Sequence, residues 1–185
     1  MRTEQTDPWK RFRGLGNTHE VLAQKAHALV PLCCGFALEQ SEQLSQSIAT
    51  DKTGGQSAAL FIESSILLLH LIDRMAFARL SREDRQVFAG TLFVEVTREL
   101  SRAGSTGAES FLAALDERQK EYSQHKWQTG VDAFAGGSVL LAFAKRVVES
   151  ACPPPDMQKL MHARAAASGL LIAVADMQVA ELLGS

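Results

Sequence analysis

The chain has 185 residues, 46% apolar and 22% charged, which suits one globular domain able to bury roughly 70% of its unfolded surface. A formal net charge of −2 and a pI of about 6.2 give no bulk electrostatic reason to bind nucleic acid or an anionic membrane, so no nucleic-acid partner is expected. The three cysteines, Cys33, Cys34 and Cys152, do not make a disulfide framework; they point to a reducing compartment, with a cytoplasmic address as the expectation.

Residues 1–17 read as an N-terminal arm, flexible or with one short helical turn. Asp7 and Pro8 can start such a turn, which then carries Trp9 and Phe12. Lys10, Arg11 and Arg13 form the one basic concentration, partly offset by Glu4 and Asp7, and read as a solvated or docking arm. No apolar segment follows these charges, so no signal peptide is expected. Residues 18–185 read as a single helical domain.

Asn17 and Glu20 resemble a capping box that opens a first long helix. Its buried stripe is expected along Leu22, Ala26, Leu29, Cys33, Phe36 and Leu44, with Pro31 kinking it. The turn chemistry of residues 48–57, IATDKTGGQS, ends that helix. From Ala58 to Leu80, sixteen of 23 residues are Ala, Leu, Ile, Phe or Met, and they fall on every side of a helix. A helix apolar all round belongs at the centre of the fold.

Ser81 with Asp84 caps the next helix, at about residues 82–103, after a connection short enough to lay it against its predecessor. Phe88, Leu92, Val96 and Leu100 give it a clean stripe. Thr106 and Glu109 suggest a fourth helix running to about Trp127. It is apolar only along Phe111, Leu112, Leu115 and Tyr122, and is therefore placed at the edge of the fold. Thr129 with Asp132 starts a fifth, to about Ser150, in which Gly136 and Gly137 suit close helix packing. After the break CPPP, Asp156 caps a last helix to about Leu183, with Leu160, Ala163, Ala167, Leu170, Val174 and Met177 as its stripe. No segment alternates long enough to be a strand, and charges interrupt every apolar run before it reaches ~20 residues, so no transmembrane segment is expected. The predicted fold is an all-α, single-domain bundle of about six helices, with the 58–80 helix central and buried.

Sequence signatures of chemistry are sparse. No histidine has a glutamate three residues before it, as a di-iron bundle requires, and His-Glu-x-x-His and Cys-x-x-Cys are absent. DKTGGQ lacks the order of a phosphate loop, and there is no Gly-x-Ser-x-Gly elbow. Cys33 and Cys34 read as small core residues. The sequence does not identify a cofactor.

One constellation remains. Glu63, His70 and Arg74 lie within about 40° of one direction on the 58–80 helix, and Asp73 is about 60° round from His70, within reach of a hydrogen bond to it. His70 and Asp73 are expected to be mostly buried and hydrogen-bonded to each other or to a residue of the 82–103 helix. Glu63 leans away from His70, because helical side chains tilt toward the N-terminus, so something must fill the gap between them. Glu95 on the next helix is the nearest candidate in sequence. Buried charges need partners. The cluster is therefore either a self-satisfied network or a polar pocket in which Glu63, His70, Asp73 and Glu95 bind a metal ion or small ligand, a reading that includes an enzyme. The first reading makes the protein a non-enzymatic adaptor or regulatory domain acting through helix–helix contacts, with a homodimer expected from the strongly apolar helices near the C-terminus.

Overall fold

The computed structural model describes residues 9–48, 54–104, 107–125, 139–151 and 157–184. Among them are seven α-helices and one short 3-10 turn, with no strand, packed as an all-α bundle. The helices are α1 His19–Ile48, α2 Gly54–Phe77, α3 Arg82–Arg102, α4 Ala108–Ser123, α5 Val139–Ala151, α6 Met157–Asp176 and α7 Val179–Gly184.

The expectation of a central second helix holds. Residues 63–73 are buried without exception, and α2 packs against each of the other six helices. Burying apolar surface on all sides of one helix demands neighbours on all sides, which is why the remaining helices surround it.

The short link after α2 works as expected. The Ser81 hydroxyl accepts the Asp84 amide at 3.1 Å and donates to the Asp84 carboxylate at 2.8 Å, satisfying an orphan donor of the first turn. Phe88, Leu92, Val96 and Leu100 of α3 are all buried.

Several local expectations need correction. α1 is capped by Thr18, whose hydroxyl accepts the Val21 amide, and not by Asn17. Asn17 instead bridges two distant groups: its amide donates to the Leu183 carbonyl at 3.2 Å, and its oxygen accepts from the buried Lys25 ammonium at 3.0 Å. Burial lowers the Lys25 pKa from its ordinary value. α1 is one helix with Pro31 inside it; on its buried stripe, Ala37 is fully buried where Phe36 is only half-buried. On α4, Leu112 is exposed, and Arg118 joins the buried face with Phe111, Leu115 and Tyr122. Thr106, Thr129, Asp132, Gly136 and Gly137 lie outside the described residues.

The last expected helix is two. α6 ends at Asp176, and α7 restarts at Val179 after Gln178, a non-glycine residue held at a φ of 51°. Where α6 meets α1, the Gln40 side chain occupies the space beside Gly169, and a Cβ there would stand 2.5 Å from the Gln40 Oε1 and displace that amide. α1 and the Met157–Gly184 stretch are each long and apolar enough, by length and composition, to cross a membrane, despite the charges within α1.

Candidate functional site

On α4, Phe111, Leu115, Arg118 and Tyr122 follow one another by four, three and four residues, so they share one helical face. That face meets the Glu63–His70 side of α2. The Arg118 Nε lies 3.2 and 3.1 Å from the two Glu63 carboxylate oxygens, and Nη2 donates to Oε1 at 2.9 Å. Four residues further along, Tyr122 meets His70 edge-to-face, with ring centroids 5.2 Å apart and an interplanar angle of 67°. The gap between Glu63 and His70 is thus filled by α4, and not by α3 as the sequence suggested.

From this buried contact a chain of charges runs to the surface. Arg118 Nη1 is 2.9 Å from Glu117, though without hydrogen-bond geometry. Glu117 in turn lies 3.3 Å from Arg146 of α5, which reaches Glu121 at 3.1 Å. Burial works against the Arg118 charge, but hydrogen bonds and attraction from Glu63 hold its pKa above the ordinary value.

Asp73 makes a different pairing. Arg85 of α3 donates to it through Nε at 2.8 Å and Nη2 at 2.5 Å, a fork that raises the arginine's pKa. His70 and Asp73 are both buried, as expected, and of the two expected bonds Asp73 makes the one to the 82–103 helix, through Arg85, rather than one to His70. Arg74 is half-buried and places its guanidinium 5.4 Å from the Phe77 ring, which Arg85 approaches to 5.1 Å.

Glu95 does not belong to this cluster. It pairs with Arg98 at 2.6 Å on its own helix. With Glu99 it lines a groove of about 380 Å³ between α1 and α3, whose other walls are His27, Val30, Pro31 and Cys34. The five sequence-derived residues therefore divide among three places: Glu63 and His70 against α4, Asp73 and Arg74 beside Arg85 and Phe77, and Glu95 in a separate groove.

The electrostatics of the α2–α4 contact favour neutral or paired groups. Desolvation lowers the His70 pKa to about 4; Asp73 opposes this, while Arg74 and Arg85 reinforce it. Burial raises the Tyr122 hydroxyl well above its ordinary range, and Glu63 adds to the shift. That hydroxyl is buried with no hydrogen-bond partner, as is Ser64 Oγ. Burial likewise raises the Cys33 and Cys34 thiols, so neither is an activated thiolate.

No protein-family model, curated protein or solved structure matches this chain. Its chemistry has to be read from the geometry alone. Both buried carboxylates, Glu63 and Asp73, carry a guanidinium, and among the described residues no group of three His, Cys, Asp or Glu side chains is arranged to hold a metal ion. What the arrangement does is fasten α3 and α4 to the central helix. Arg85 and Arg118 are not singled out by the sequence, and Tyr122 is expected on the apolar stripe of α4 but not against His70. The available signal for Arg118 was its position between Leu115 and Tyr122 on the apolar stripe of α4.

Proposed function

We propose that the protein is a non-enzymatic helical interaction domain whose outward contact is made by α6, with a second copy of the chain as partner. The supporting observation is the outer face of α6. Met157, Met161, Ala165, Ser168, Ile172 and Ala175 recur at steps of four, four, three, four and three, which keeps them within about 80° of one direction. Met157, Met161 and Ile172 are 71%, 55% and 61% exposed, and Ala165 and Ala175 are exposed as well. The opposite face, with Ala163, Ala167, Leu170 and Val174, is already buried in the bundle. A helix apolar on both sides is one that gains by being covered on both.

The order of side chains along this face favours a second copy. Antiparallel packing about a two-fold axis between residues 166 and 167 sets Met161 against Ile172 and Ala165 against Ser168, so the same patch serves both partners. Small residues at the centre permit close approach of the helices, and the large ones close the ends. α6 is about 30 Å long. A single helix pair of that length falls short of the roughly 800 Å² per partner of a standard interface, which makes the association weak and reversible. Met161→Glu and Ile172→Glu test the proposal by size-exclusion chromatography with light scattering. Each should leave the helical circular dichroism unchanged and abolish any dimer. A dimer that survives both substitutions contradicts the use of this face.

A further inference from the structure

We propose that residues 9–16 form a releasable strap that closes an apolar socket at the α6–α7 corner. The strap is a 3-10 turn, Lys10–Phe12, whose two aromatic side chains are the part docked into the fold. Trp9 is 5% exposed and Phe12 3%, whereas Lys10, Arg11 and Arg13 stand on the outer side. The Trp9 indole N–H donates to the Met177 carbonyl at 2.7 Å.

That carbonyl is free to accept because α6 stops there. The turn at Gln178 hands the following amides, Glu181 and Leu182, to the Gln178 carbonyl, so Met177 is left as a helix-terminal acceptor. The socket thus offers an apolar recess beside one unspent backbone acceptor, and the strap supplies an indole that fits both needs.

The strap is built to detach as a unit. Its own backbone bonds, Phe12 amide to Trp9 carbonyl, Arg13 to Lys10 and Leu15 to Phe12, close locally, so they survive when the strap leaves the corner. Gly14 sits at a φ of 76°, where a residue with a Cβ is strained, and with Gly16 it brackets the exposed Leu15. Beyond this double-glycine joint, Asn17 is fixed to Leu183 and to Lys25, which marks where the moving part ends. Opening breaks the Trp9–Met177 hydrogen bond and exposes two buried aromatic side chains, with no helix broken. This device is independent of the α6 outer face.

Native-state hydrogen exchange on the intact chain tests detachment. The Trp9 indole N–H, whose bond to the Met177 carbonyl is broken by detachment, should exchange at least about a hundredfold faster than the central amides of α2, because it opens locally. Exchange at the α2 rate would make the strap part of the cooperative core and overturn the proposal. The socket is tested with the full-length Trp9→Ala/Phe12→Ala variant and a synthetic peptide of residues 7–16. The variant should remain folded, and the peptide should raise its Tm in proportion to peptide concentration. An unfolded variant, or a folded one that the peptide does not stabilise, overturns it.

Discussion

Arg118 of α4 and Glu63 of α2, 55 residues apart in sequence, form a two-pronged ion pair in which neither side chain is more than 10% exposed. Removing one partner from such a pair leaves an uncompensated buried charge, whereas removing both leaves apolar surface that can repack. Arg118→Met alone should therefore cost about 3 kcal/mol or more in urea unfolding. Glu63→Leu/Arg118→Met should recover most of that loss. A double variant as unstable as the single one would show that the pair does more than neutralise itself.

His70 gives the fold an acid sensitivity of defined sign. Its pKa falls from the ordinary 6.5 to about 4 on folding, so between those values the unfolded chain binds the proton and the folded one does not. The stability that follows from keeping His70 neutral is fully present above pH 6.5 and is lost as pH falls toward 4. The total is on the order of 3 kcal/mol, with a limiting slope of about 1.4 kcal/mol per pH unit. Urea titrations at a series of pH values should show this slope in the wild type and a flatter one in His70→Gln, where carboxylate titrations are common to both. Equal slopes would mean that His70 titrates alike in the folded and unfolded chain.

Tyr122 differs from most buried tyrosines in that its hydroxyl has no partner. A buried, unsatisfied hydroxyl costs about 1–3 kcal/mol. Tyr122→Phe keeps the ring against His70 and removes that cost, so it should leave stability unchanged or raise it by about 1 kcal/mol. Thermal unfolding measures this directly, and a loss of stability would reveal a hydrogen bond to that hydroxyl in solution.

Much of this architecture was legible in the sequence, and the parts that were not share a physical cause. The 58–80 run could be read as a central helix because burial on every side leaves no polar sector, and Ser81 with Asp84 could be read as a cap because the geometry is local. The partner of Glu63 was not legible in the same way. In DERQKEYSQHK, Arg118 has the same composition around it as the exposed Lys120, and only its register with Phe111, Leu115 and Tyr122 separates them. Glu95 was chosen for nearness in sequence, yet it lies one residue, about 100°, from the buried Val96 and so faces another way. The break between α6 and α7 carries neither glycine nor proline, and the Trp9 contact that helps define that corner spans 168 residues.

The central claim is that the exposed face of α6 is covered by a second copy of the chain. Sedimentation velocity of the unaltered protein, from micromolar to millimolar concentration, tests it most directly. The expected result is a reversible shift from a 20.1 kDa monomer toward twice that mass, with Met161→Glu remaining monomeric throughout. A wild type that stays monomeric at every concentration, or a dimer that Met161→Glu leaves intact, would contradict it.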